Sequence, residues 1–367
     1  MKASGASSFY RVQNGRKQFY DIQASEYQDI PGQEGILDLK VLQQSNVVWK
    51  NSGTLITDLG DGILNLSFKT KMNTIGGEVI EGINKAIDLA EKEYEGLVIY
   101  NEGDNFSAGA NVGMIFMMAA EQEVDELEVA VRAFQNTMMR VRYSSIPVVV
   151  APHGLTLGGG CELSMHADKV VANAESYIGL VEFGIGVIPG GGGTKEFALR
   201  LSDELEEGDI RTNRFRKRLL TIGQAKVSTS ALEAFDLGYL RPGIDEVVVS
   251  RKHQLAYAKN AVLQLLEKGY IQPAPRKNIR VLGQEGVALT YSGADSMVVG
   301  NYMSEHDQLI SDKLGFVLSG GDLSEMTMVD EQYLLDLERR AFIELTLQRK
   351  TLERMQSLLK TGKILRN

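Results

Sequence analysis

The chain has 367 residues, 43% hydrophobic and 24% charged, which is enough apolar material for one large or two smaller domains and too much for a disordered chain. A formal net charge of -9 argues against a general nucleic-acid binder, while four histidines and a single cysteine, Cys161, rule out an internal disulfide and nearly exclude a zinc cluster, so no metal is expected. No apolar run reaches the roughly eighteen residues of a membrane-spanning helix, and MKASGASSFYRVQNGRKQF has no signal core, so a cytoplasmic location without membrane insertion is expected.

Residues 1–50 are polar and turn-rich, with Pro31, Gly32 and one short periodic piece, ILDLKVLQQ, and read as an extended arm or linker remnant. TLITDLG and GILNLSF flank Gly60-Asp61-Gly62 and predict a hairpin. In GGEVIEGINKAIDLAEKE, Val79, Ile80, Ile83, Ala86, Ile87 and Leu89 recur at helical spacing. GLVIYNEG then reads as a strand buried on both faces. A helix over 126–143, the strand IPVVVAPHG, a helix opening in the glycine run 158–160, the strand DKVVANAES, a loop and the helix TKEFALRL follow. This order is α/β with mixed crossovers and not a Rossmann alternation. LSDELEEGDIRTNRFRKRLL reads as helical, and STSALEAFDLGYL as a Ser-capped helix ended by Gly238. From 251 to 367 the chain is mostly helical, and in YLLDLERRAFIELTL the residues Leu334, Leu337, Ala341 and Leu345 form an apolar stripe that must be covered by the chain's own core or by a neighbouring subunit. The second case would make the chain a homo-oligomer.

The chemistry is suggested by two glycine loops and two acids. Gly158 to Gly160 follow a strand and open a helix, where backbone N–H groups lack intrahelical acceptors and can hold an oxyanion. Ala110, after Gly109 in NFSAGANVGM, supplies a second such N–H. Glu162 lies one turn into its helix and Glu182 twenty residues later, placed to act as a proton-transfer pair. The plainer readings are a solvated glutamate near a helix N-terminus, a small buried Cys161 with no base to activate it, structural roles for His153 and His166, and an exposed cap neighbour at His306. GIGVIP has proline at the third glycine position of a dinucleotide fingerprint, and GGGGTK has its Thr and Lys in the wrong order for a Walker loop.

FSAGAN, HGLTLGGGCEL, the acid in YIGLVE, IPGGGGTKEFALR and KVSTSALEAFDLGYL resemble the successive signatures of the crotonase (enoyl-CoA hydratase/isomerase) superfamily over roughly 53–250. TKMNTIG, NEGDNFSAGAN and the ending RMQSLLKTGKILRN are similar to the C-terminal part of bacterial 3-hydroxyacyl-CoA dehydrogenases fused to a hydratase. The resemblance implies a crotonase-like spiral of repeated ββα units at 51–250 with a C-terminal helical region. It implies catalytic carboxylates Glu162 and Glu182, an oxyanion hole at Ala110 and Gly159, and Ala108 against the adenine of coenzyme A, with Lys69 and Lys71 as candidates for its phosphates. Asn111 and Leu180 depart from the family's usual Asp and Gln. The implied activity is hydration of a trans-2-enoyl-CoA, with isomerisation, thioester hydrolysis or a non-catalytic acyl-CoA module as alternatives. The coenzyme A thioester is then substrate, and no cofactor is bound. A dinucleotide domain would precede this part in such fusions, so the chain reads as a fragment, with NAD needed only if that dehydrogenase domain exists, and with a thiolase or dehydrogenase as partner.

Overall fold

The computed structural model of the protein describes residues 8–13, 16–32 and 35–367; the other parts of the expected arm lie outside the described residues. Where it is described, the arm is not simply extended. β1 (Tyr10–Gln13), β2 (Arg16–Asp21) and β3 (Glu26–Asp29) pair antiparallel in a small sheet of their own, where Tyr20 and Tyr27 meet edge to face with ring centroids 5.1 Å apart. Leu39 and Leu42 of the one-turn helix α1 (Leu39–Leu42) are buried in an apolar cluster with Ile63, Val98 and Val149, so the segment is anchored in the main core.

β4 (Val47–Lys50) opens the main sheet. Beside it β5 (Thr54–Asp58) turns through Gly60-Asp61-Gly62 into β6 (Ile63–Phe68), the expected hairpin. All three turn residues are left-handed, with φ of 79°, 57° and 73°, which is why two are glycine and the third is aspartate. α2 (Gly77–Glu93) buries Val79, Ile83, Ala86, Ile87 and Ala90, and the fully buried β7 (Gly96–Ile99) lies parallel to β6. α3 (Val112–Ala120) was not legible as a helix, because VGMIFMMAA is apolar all round and shows no period. α4 (Val124–Arg142), β8 (Val148–Val150), β9 (Gly154–Leu157), α5 (Gly159–His166), β10 (Lys169–Asn173) and β11 (Ser176–Gly179) follow. Both strands expected between 146 and 176 form, as β8 and β10 in the main sheet, while two short strands that were not expected, β9 and β11, leave that sheet and pair parallel with each other.

α6 (Gly193–Glu204), α7 (Arg211–Gly223) and α8 (Ala231–Leu237) precede β12 (Glu246–Val248). Ser230 caps α8 by accepting the N–H of Glu233, and left-handed Gly238 ends it. The seven-stranded sheet runs β12-β10-β8-β7-β6-β5-β4, parallel from β12 to β6 and antiparallel at its β5 and β4 edge. α9 (Arg251–Glu267) lays Leu255, Ala258 and Val262 on Val98, Val149 and Val171 of the sheet.

The remaining elements are β13 (Ile279–Val281), α10 (Gln284–Val299), α11 (Glu305–Leu318), β14 (Thr327–Val329), α12 (Glu331–Thr346) and α13 (Arg349–Thr361), with β13 and β14 paired antiparallel. Leu334, Leu337, Ala341 and Leu345 are all buried within this chain, and α12 packs on α4 and α6 while α13 packs on α3. His306 is not the exposed cap neighbour expected. It is 5% exposed, with its Nε2 3.0 Å from Thr351 Oγ1, because α13 closes over the start of α11. No helix among the described residues is long and apolar enough to cross a membrane.

Candidate active site

β9 ends at Leu157, and Gly158 bends the chain into α5 with φ 51° and ψ −122°. Other segments press on this corner. A Cβ on Gly158 would stand 3.0 Å from Glu182 Oε1, and one on Gly159 would stand 2.7 Å from Phe134 and 3.2 Å from the nitrogen of Ala110. The Gly159 N–H opens α5 and so has no carbonyl four residues back to receive it. Opposite it, the carbonyl of Gly109 accepts from Ile75, and Asn111 donates to the Ile75 carbonyl, which turns the intervening N–H of Ala110 away from that bridge. Among the described hydrogen bonds neither the Ala110 nor the Gly159 N–H meets a protein acceptor. The two donors are neighbours because chain segments nearly fifty residues apart meet there.

Glu162, one turn into α5, is 3% exposed, and its Oε1 accepts the N–H groups of Gly191 at 2.8 Å and Gly193 at 2.9 Å. Burial raises its carboxyl above the usual carboxylate range, the Glu182 charge raises it further, and the two N–H donors pull part of that back. Glu182 follows β11 in a single tight turn, Glu182–Ile185. Its carboxyl is also raised, by burial first, and its Oε2 is buried with no protein hydrogen-bond partner. Two adjoining acids that both resist ionisation can hold a proton near neutral pH.

Neighbouring groups fix the frame. Leu180, standing where the family often has Gln, is fully buried against Gly193, and the Gly191 and Gly193 N–H groups orient Glu162 instead. His166 donates from Nδ1 to the Glu162 carbonyl at 2.7 Å and accepts from Lys195 Nζ at its Nε2 at 3.0 Å, a neutral ring whose burial lowers its proton affinity. Cys161 is buried and its thiol is pushed up by burial and then by the two acids, so it is no nucleophile. Asn111 accepts the Met114 N–H and caps α3.

These groups share one cavity of about 300 Å³, whose wall includes Ala108, Ala110, Gly159, Glu162 and Glu182. Lys69 and Lys71 are exposed and do not line it; Lys71 adjoins Met72, whose carbonyl accepts the Ala108 N–H at 3.1 Å. The rest of the wall is largely apolar, from Ile80, Met118, Phe134 and Ile185, and the C-terminal region adds Phe342 and Leu358. No sequence reading reached these last two or Glu338, which lies close behind Glu162. One signal was present for Glu338: it stands four residues after Leu334, a carboxylate on the otherwise apolar stripe of α12.

The family model described as "Enoyl-CoA hydratase/isomerase" matches residues 59–205. A Bacillus subtilis protein named "Probable 3-hydroxyacyl-CoA dehydrogenase" is 40% identical over 100% of this chain and 46% of its own length. The chain therefore spans about half the length of the curated relatives it matches. The crystal structure of an enoyl-CoA hydratase from Bacillus halodurans superposes with a TM-score of 0.57 at 14% identity, covering 84% of this chain and 100% of that one. An enoyl-CoA hydratase/isomerase from Xanthobacter autotrophicus Py2 gives 0.53 at 17%, covering 85% and 95%. At such identities the structures establish the fold, a crotonase-type α/β core with a helical C-terminal region.

Proposed function

With residues 59–205 carrying the enoyl-CoA hydratase/isomerase family pattern, we propose that the chain catalyses the reversible syn hydration of a trans-2-enoyl-CoA. The observation that carries the reading is the convergence in one apolar cavity of the buried Glu162, the half-buried Glu182 with its sequestered Oε2, and two backbone N–H donors with no protein acceptor.

The thioester oxygen would accept from the Ala110 and Gly159 N–H groups, which then stabilise the enolate that forms as C3 is attacked. Ionised Glu162 takes a proton from water as the oxygen adds to C3, and protonated Glu182 delivers a proton to C2. The enolate electron pair forms the new C2–H bond. The proton gained by Glu162 and the one lost by Glu182 balance, so the pair resets by exchanging one proton. The raised affinity of both carboxyls favours such sharing. Hydration is redox-neutral and calls for no electron carrier. Coenzyme A is the handle, with Ala108 beside its adenine and Lys69 and Lys71 near its phosphates. In the cell the chain would work in fatty-acid oxidation as part of a longer 3-hydroxyacyl-CoA dehydrogenase, in the cytoplasm, passing product to a dehydrogenase or thiolase.

The test is hydration of short and long trans-2-enoyl-CoA by Glu162→Gln and Glu182→Gln. Each is expected to lose about 10²- to 10⁴-fold in kcat while still binding acyl-CoA. Near-normal turnover by either variant would exclude the two-acid reaction, and retained double-bond migration without hydration would reassign the site to isomerisation.

A further inference from the structure

We propose that Glu338, on the C-terminal helix α12, is a positioning residue for Glu162: the two carboxylates share the amides of the same Gly191–Lys195 backbone, so the C-terminal region completes the active site as well as covering it. The inference rests on the hydratase reading above.

Glu338 is 0% exposed. Its Oε1 accepts the N–H of Gly192 at 2.6 Å and Gln135 Nε2 at 3.3 Å, and its Oε2 accepts the N–H of Thr194 at 2.8 Å and Lys195 at 3.1 Å. Glu162 takes the N–H groups on either side of Gly192, those of Gly191 and Gly193. The amides from Gly191 to Thr194 are thus handed alternately to two acids, and that of Lys195 goes to Glu338 as well. These are the amides that open α6, which lack intrahelical acceptors and carry the positive end of the helix, so a buried anion is favoured on both sides. A carboxylate sequestered without such donors would be a heavy cost; with four it is a fixed support.

The contact is a specific one. Arg339 donates to Gln135 Oε1 at 3.0 Å and so directs the Gln135 amide nitrogen at Glu338. Phe342, one turn further along α12, stands where a Cβ on Gly190 would come within 2.7 Å of its ring. The charged and titratable groups around Glu338 are Glu162 and His166 on α5, Glu182 after β11, Lys195 on α6 and Arg339 on its own helix. Like charge between Glu338 and Glu162 raises the proton affinity of Glu338 after burial has done so. Glu338 should therefore act twice: it places the amides that hold Glu162, and its charge keeps Glu162 basic enough to accept a proton from water.

The experiment compares wild type with Glu338→Gln and Glu338→Asp in the whole chain, using trans-2-butenoyl-CoA hydration over a pH series and ¹³C-carboxyl glutamate NMR with Glu162 assigned through Glu162→Gln. In Glu338→Gln, kcat should fall about 10- to 100-fold with a much smaller change in KM, as for other residues that orient a reacting group. The Glu162 titration midpoint should move to lower pH by about one unit. Glu338→Asp keeps the charge but not the reach, so its kcat should fall while the midpoint stays; it also serves if the Gln variant does not fold. Unchanged kcat in the folded variants, or a Glu162 midpoint in Glu338→Gln equal to wild type, overturns the proposal. If the wild type does not hydrate the substrate, the hydratase reading fails, and the NMR midpoint still decides for or against Glu338.

Discussion

Gly191→Ala is expected to expose the packing behind Glu162 in a single measurement. The added methyl would lie 2.5 Å from Phe134 Cε1 and 2.6 Å from Glu162 Oε2. Ordinary contacts between such atoms are about 3.5 to 4.0 Å, so one or both neighbours must retreat by roughly 1 Å. Neither can do so freely: Phe134 lines the cavity, and Glu162 is tied to Gly191's own N–H and to Gly193. Gly191 does not have a left-handed φ, so the penalty comes from contact and not from backbone strain. Overpacking of this kind costs about 1–3 kcal/mol. A catalytic group displaced by about 1 Å loses roughly 10²-fold in rate. Denaturant unfolding should give the first figure, and loss of the conjugated enoyl-thioester absorbance on hydration should give the second, with KM moving less than kcat. Gly293→Ala is the control. It lies in α10 with nothing within 4 Å of its added methyl, and should gain about 0.5–1 kcal/mol with kcat unchanged. Wild-type stability and turnover in Gly191→Ala would refute the close approach of this turn to Glu162.

Two further outcomes follow from buried charge. Lys195 is 0% exposed and reaches Glu196 at 2.6 Å, Glu331 at 2.9 Å and His166 at 3.0 Å, so Lys195→Met should lower stability by about 3–5 kcal/mol in denaturant unfolding; an unchanged midpoint would show that these acids do not depend on the lysine. Glu162 has a raised folded-state affinity for protons, so its favourable contribution is complete below its ordinary value of 4.5 and is lost as pH climbs through the raised folded value. The Tm of Glu162→Gln minus that of wild type should therefore be flat below about pH 4.5 and grow more positive towards pH 9, and a difference that stays constant would contradict the burial of this carboxyl.

Sequence alone determined what depends on neighbours along the chain. The hairpin at Gly60-Asp61-Gly62, the periodic α2, the doubly buried β7, the Ser-capped α8 ended by Gly238 and the helix opening at Gly159 all follow from side-chain period, turn chemistry and caps. The pairing of glycine loops with Glu162 and Glu182 was likewise legible, because bare backbone beside an acid is a local pattern. What needs long-range contact was not. The sheet of β1–β3 and the β9/β11 pair depend on partners the strands do not announce. α3 shows no period because one side meets the core and the other the C-terminal region. His306 is buried only because Thr351 arrives beside it. Glu338 meets Gly192 across 146 residues. The stripe on α12 signalled that something must cover it, but not that its one carboxylate would seat on the amides beside Glu162. Only the folded chain brings the open N–H groups of α6 within reach of that acid, because the free energy that places it comes from burying α12 as a whole.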